Sequence, residues 1–236
     1  AALAEVAVNI VLLLTTFWLA RRFVSSRWAL AASLVWATFI PALKLVSQIS
    51  GDLLGACFLA LAVLFFLRAR DSHRWRDWIF SGLLLGLAIQ SRSALLVVLP
   101  GLLLGLLVEA WLDKANRWPQ VWKNLRFGAV LAGLVCLTLL PWFVRNILTF
   151  GNPVVGTSLT GYVIYRQNYM LGTDDYLRIV GSEEARQAIK ALVAQRADLS
   201  PTLNEIQMDG VYRDEAIRLI LAYPGRYVLV SLYRFL

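Results

Sequence analysis

Apolar runs long enough to cross a bilayer recur along this chain, and they constrain its fold more than any other feature. A helical span needs about 20 mostly apolar residues at a rise of about 1.5 Å each. Ala1–Ala20 reaches that length and is closed by Arg21, Arg22 and Arg27. Trp28–Val46 reaches it again, with Pro41 placed to kink it. The short polar link Ser47–Asp52 leads to Leu53–Leu67, which ends in Arg68, Arg70, Arg74 and Arg76. Next comes Trp78–Trp111, interrupted only by Gln90-Ser91-Arg92-Ser93, then the polar stretch Leu112–Arg126 and the apolar Phe127–Val144. A long segment of soluble character follows, and Tyr227–Leu236 opens a further apolar run.

Trp78–Trp111 is too long for one ordinary span and short for two. Both of its flanks are basic, and cytoplasmic loops are the ones enriched in Lys and Arg, so an even number of crossings is required. The segment is therefore expected to be a tight hairpin, 78–111, with Gln90–Ser93 at its outer tip. Gly82 and Gly86 on one arm, and Gly101 and Gly105 on the other, have the spacing of small-residue contacts between close helices. The expected architecture is an all-α, polytopic transmembrane helix bundle with a small external helical cap. Residues 1–146 form the bundle of about six spans, 147–225 the cap, and 226–236 the start of another span. The chain reads as an internal fragment of a longer polytopic protein.

Charge agrees with this sidedness. The net charge is +8, while 59% of residues are hydrophobic and only 16% charged. Ordinary soluble domains carry about 25% charged residues. The basic stretches 21–27, 68–77 and 109–126 account for +7 of the total, and 145–226 is neutral. The basicity thus reports membrane orientation, and nucleic acid is excluded as a partner because the apolar residues come in runs and not in one core. Trp18, Trp28, Trp75, Trp78, Trp111, Trp118, Trp122 and Trp142 fall at span ends, as an interfacial aromatic belt does. Within 147–225, Glu183–Arg196 with Ser182 as N-cap and Pro201–Ala222 stopped by Pro224-Gly225 read as helices.

No phosphate-binding glycine loop, H-E-x-x-H pattern or metal-spaced cysteine pair is present, and His73 reads as a solvated residue. Cys57 and Cys136 lie inside apolar runs, where a thiol behaves as a small hydrophobe. No cofactor is identified, and a divalent metal finds no support in the residue pattern. Four outward polar features remain. Asp52 opens a span, where it is either a helix cap or a cavity-edge carboxylate. Arg92 at the hairpin tip either snorkels to headgroups or binds phosphate through its guanidinium fork. Pro141-Trp142-Phe143-Val144-Arg145-Asn146 is either an interfacial anchor or part of a site. Tyr162, Tyr165, Arg166 and Asn168 interleave aromatic and hydrogen-bonding groups, as a sugar-binding loop or an ordinary one would. Composition and spacing alone leave an enzyme, a transporter and a membrane scaffold all open.

The order of these pieces resembles the bacterial members of the GT-C superfamily of integral membrane glycosyltransferases, which includes the dolichyl-phosphate-mannose-protein mannosyltransferase-like and aminoarabinose-transferase-like families. The likeness begins with Leu19-Ala20-Arg21-Arg22 and continues with Ser50-Gly51-Asp52 opening a span. Gly86 to Ala94 followed by Leu99-Pro100 is similar to the family's Gly-Leu-Ala…Lys/Arg…Leu-Pro hairpin. Leu140-Pro141-Trp142, Arg145-Asn146 and Phe150-Gly151-Asn152-Pro153-Val154 form the most specific piece. Gly161 and Asn168, then Glu215-Ala216 and Tyr223-Pro224, complete the order.

The resemblance implies transfer of a sugar from a polyprenyl-phosphate carrier to an acceptor glycolipid, protein or polymer. It places the chemistry at the external face of a bacterial plasma membrane, among membrane lipids. It implies Arg92, and secondarily Arg145, as ligands of the donor phosphate. Asp52 would orient an acceptor hydroxyl, a basic group or a metal, and Tyr162, Tyr165, Arg166 and Asn168 would contact or cover the sugar. No catalytic residue is assigned within the chain, because the family's catalytic acid sits in an external loop upstream of anything here.

Overall fold

The computed structural model describes residues 2–40, 51–112, 117–151, 159–178, 182–195 and 204–234. Pro41, most of the 47–52 link, Pro153, Gly156 and the expected helix start at Pro201 lie outside them. Among the described residues there is no strand, and the fold is all-α. The chain divides into two compact units, Ala1–Arg145 and Asn146–Leu236.

The first unit is built from α1 (Ala2–Ala20), α2 (Ser26–Thr38), α3 (Gly51–Ser72), α4 (Trp75–Ser91), a short 3-10 turn (Ser93–Val97), α5 (Val98–Leu112) and most of α6 (Arg117–Phe150). Among the described residues, four stretches are long and apolar enough to cross a membrane: Leu3–Ala20, Gly51–Ser72, Ser93–Leu112 and Trp118–Phe150. The turn between α3 and α4 is tight, with His73 in the left-handed region at φ 54°. The polar stretch before Phe127 is no loop from Arg117 onward. It is the first part of α6, whose 34 residues continue as helix past Pro141.

Packing is layered along α3 and α4. Trp78 lies face to face with Phe127, centroids 4.7 Å apart and planes 6° apart, and edge-on to Phe66. Leu106 and Leu131 close this layer. Ala62, Leu85, Ile89 and Val135 form the next, and Leu12, Leu53 and Cys57 the last. Ala62 and Ala69 are wholly buried, so α4 approaches α3 closely enough for the Ser81 hydroxyl to donate to the Ala62 carbonyl at 2.9 Å. Helix association inside a bilayer relies on such close packing and interhelical hydrogen bonds, because lipid is as apolar as leucine.

Two expectations are corrected here. Of the two glycine pairs in 78–111 expected to lie in close helix contacts, only the first does. A Cβ on Gly82 would meet Leu134 at 2.8 Å, and one on Gly86 would meet Thr138 at 2.6 Å, so this stripe receives α6. Gly101 and Gly105 have no heavy atom of the described residues within 4 Å of that position. Trp78, placed in the aromatic belt by its position, is only 1% exposed and belongs to the core. Trp18, Trp28, Trp75, Trp111, Trp118, Trp122 and Trp142 are exposed, as belt residues are.

The second unit holds α7 (Thr160–Asn168), a 3-10 turn (Tyr169–Gly172), α8 (Ser182–Gln195), α9 (Glu205–Ala222) and α10 (Pro224–Tyr233). Helix α9 begins with a capping box: the Asn204 side chain accepts from the Gln207 N–H at 2.9 Å and Gln207 answers at 3.0 Å. Pro224 at the first turn of α10 fits the same logic, since its missing N–H has no intrahelical partner to lose. The core here is tyrosine-rich, with Tyr165 and Tyr212 packed beside Ile189, Leu192 and Ala216.

Candidate functional site

Helix α4 stops at Ser91, and Arg92 takes an extended backbone, φ −149° and ψ 105°, before the 3-10 turn begins. This break lies where the sequence placed the hairpin tip. The start of α3 packs against it because glycines remove the side chains that would intervene. A Cβ on Gly51 would stand 2.7 Å from the Ser91 carbonyl oxygen, and one on Gly55 would stand 3.6 Å from the Arg92 Cβ. That approach brings the Asp52 carboxylate onto the Arg92 guanidinium as an ion pair. The two side chains are 45% and 54% exposed, so the pair is open to solvent and to an incoming anion.

Asp52 also sits in the first turn of α3, where a carboxylate is favoured by the helix dipole. Arg92 spends one guanidinium nitrogen on Asp52 and is capable of forked recognition of further anionic oxygens. The arrangement is thus a held cation at a helix break. Among the described residues, no group of three or more His, Cys, Asp or Glu side chains could hold a metal ion.

Arg145 lies with its guanidinium 4.9 Å from the Trp142 ring centroid, a cation–π contact near the end of α6. Neighbouring Asn146 is buried, which a polar anchor facing lipid would not be.

In the second unit the sequence-selected residues separate onto different faces of α7. Tyr165 is 7% exposed and Asn168 5%, so both are built into the core of this unit. Tyr165 stacks on Tyr212, and burial pushes its phenol pKa up, with Glu215 adding to the rise. Tyr162 meets Tyr212 edge-on. Asn168 donates to the Ile164 carbonyl one turn back. Only Arg166 is exposed. The reason is helical spacing: 162, 165 and 169 point toward α9, whereas 163, 166, 167 and 170 do not. Gly161 is explained by a close approach, since a Cβ there would collide with the Asp209 carbonyl, and Asp209 accepts from the N–H groups of Gly161 and Tyr162 at 2.9 Å each.

Sequence reasoning missed the side chains that flank Arg166: Arg178, Tyr176 and Arg234. Arg226 ties this region down, donating to the carbonyls of Leu171 (3.1 Å) and Thr173 (2.8 Å) with Tyr176 and Tyr223 at its faces. A basic residue following a helix-starting Pro-Gly was the available signal.

Compared with known proteins, the chain matches the family model described as dolichyl-phosphate-mannose-protein mannosyltransferase over residues 1–142. That stretch contains Asp52, Arg92 and the Pro141-Trp142 pair. No curated protein and no solved structure matches it. With its membrane-length helices and a family match over more than half its length, the chain belongs to the dolichyl-phosphate-mannose-protein mannosyltransferase family, and is an integral membrane glycosyltransferase of the GT-C type.

Proposed function

We propose that this protein moves a sugar from a polyprenyl-phosphate-linked donor to an acceptor at the external face of the membrane, and that Arg92 holds the donor phosphate. The observation carrying the assignment is the placement of Arg92: a half-exposed cation at a helix break, held by a single carboxylate. Transfer breaks the bond between the anomeric carbon and the phosphate oxygen and forms one to the acceptor oxygen. The leaving polyprenyl phosphate gains a second negative charge as that bond breaks. A fixed guanidinium beside it therefore favours the transition state over the ground state, which is the condition for acceleration. Asp52 keeps the guanidinium oriented while the donor is absent and gives way to the phosphate when it arrives. Arg145 is a second candidate for the phosphate, and Arg166 is the exposed member of the candidate sugar contacts.

In the complete protein, Arg92→Ala is expected to lower transfer from a polyprenyl-phosphate sugar about 100-fold or more while leaving insertion unchanged. Near-normal turnover would overturn the phosphate role. Sidedness is tested separately by placing Ser91→Cys in a background without Cys57 and Cys136. The thiol should react with an impermeant maleimide added outside intact cells; labelling only after the cytoplasm is opened would reverse the topology.

A further inference from the structure

The turn from α3 into α4 and the first part of α6 meet at two places. Lys123 Nζ lies 3.3 Å from His73 Nε2, and the Trp75 ring is 5.1 Å from that of Phe127. These contacts set Arg74 and Arg76, which flank Trp75, beside the part of α6 that carries Lys123 and Arg126. The three arginines are exposed, and their side chains make no hydrogen bond or ion pair among the described residues. Lys123 has the imidazole, and an imidazole acceptor leaves the ammonium charge intact where a carboxylate would cancel it. The described carboxylates at this end are committed elsewhere: Asp71 to Arg22, Glu109 to Arg70, and the buried Asp77 to the Ser72 hydroxyl. Four cations in one place repel one another and call for an anion from outside the chain.

His73 holds its position at a φ of 54°, which glycine would adopt without strain. The turn thus keeps a ring against Lys123 where the backbone alone would favour its removal. What lies beside the cations says which anion they suit. Trp75 and Trp122 are more than half exposed, and one turn beyond Trp75 on α4 the Ile79 side chain is exposed as well. Such tryptophans mark the headgroup level, and α6 runs on from here through a stretch long and apolar enough to cross a membrane. A soluble polyanion would use the cations and leave this strip bare. A phospholipid covers both, with its phosphate on the guanidinium groups and its chains along Trp75 and Ile79.

We infer that the patch formed by Arg74, Arg76, Lys123 and Arg126 binds the head group of an anionic phospholipid from the adjoining leaflet. Guanidinium groups take phosphate oxygens through paired N–H donors, and a zwitterionic head group is disfavoured because it brings a cation of its own. The patch lies at the opposite end of α3 from Asp52. Its test does not read transfer, so it stands or falls apart from the Arg92 assignment.

The chain in dodecyl maltoside micelles is offered phosphatidylglycerol and phosphatidylcholine in competition, and the retained lipid is counted by native mass spectrometry. A preference for phosphatidylglycerol of about tenfold or more is expected at low salt. R74Q/R76Q should lower that preference about fivefold or more with the fold intact, since neither side chain holds a partner. R21Q/R27Q makes the same change of charge at the exit of α1, where Arg21 lies over Phe17 and Trp18, and should leave the preference within about twofold of the wild type. An equal loss in both double variants would reduce the effect to diffuse charge and overturn the site. So would a wild type without preference, or displacement of the lipid by equimolar glycerol 3-phosphate, which would show that the apolar strip plays no part. His73→Gly decides the matter if R74Q/R76Q cannot be purified. Glycine accepts the positive φ, so the melting temperature should hold or rise, while Lys123 loses its acceptor and the preference falls a few-fold. An unchanged preference in that variant would also overturn the proposal.

Discussion

The two ends of α3 carry ionic contacts of different kinds. At its C-terminal end Asp71 receives Arg22 from the exit of α1, Arg70 reaches Glu109 of α5 at 2.6 Å, and Ser72 donates to Asp77 of α4. Lys123 of α6 approaches His73 at 3.3 Å. These contacts gather charged and polar side chains of α3, α4, α5 and α6 and of the exit of α1 around one end of α3. At the N-terminal end, Asp52 receives Arg92 across a glycine-lined approach. A network distributes charge, so losing one member leaves the others compensated. An isolated pair concentrates the whole electrostatic effect on two residues, and an anion that displaces one partner changes the site completely.

If that contrast holds, substitutions at the two ends should separate in both size and readout. Arg92→Ala has the largest effect, on transfer. Below it lies Gly51→Val, whose side chain would push on the Ser91 carbonyl and move α3 from the break; overpacking of this kind costs about 1–3 kcal/mol, and transfer should fall about tenfold with insertion intact. An unaffected Gly51→Val enzyme would mean that the spacing of Asp52 and Arg92 is unimportant. Smaller again is Asp52→Asn. An exposed pair is worth about 0.2–1 kcal/mol, so releasing Arg92 should lower KM for the lipid-linked donor about two- to fivefold. A raised KM would mean that Asp52 does not compete with the donor phosphate for Arg92, and would break the comparison at its centre. The smallest effect belongs to Arg70→Gln at the opposite end. Its pair with Glu109 is well exposed on both sides, and its loss should cost under about 1 kcal/mol in melting experiments, with transfer unchanged.

Much of the bundle was legible in the sequence, because membrane spans announce themselves by length and hydropathy and Arg92 stood out as a charge within an apolar segment. What periodicity cannot supply is the neighbour. The Gly82–Gly86 stripe signalled a close approach but not that α6 would fill it. Asp52 and Arg92 were each visible at a span end. Their pairing depends on the register of α3 against α4, set by Gly51 and Gly55 far from Arg92 in the chain. Trp78 shows the same gap, since position along a span was readable but the direction around it was not. In the second unit the spacing was visible in the sequence, and the structure shows which face it marks. Tyr162, Tyr165 and Tyr169 follow a helical repeat, and that pattern marks a core face before it marks a sugar platform.

The apolar stretch of α3, Leu53–Leu67, is short for the helix that carries it. Fifteen residues rise about 22 Å, against a hydrocarbon thickness of about 30 Å, and tilting would only reduce that reach. The mismatch falls between Asp52 at one end and the Arg68–Asp71 cluster at the other, both fixed by partners that prevent α3 from sliding. Ion pairs at both ends therefore fix the register of α3, and a substitution that shifted the helix along its axis would have to break contacts at both ends at once.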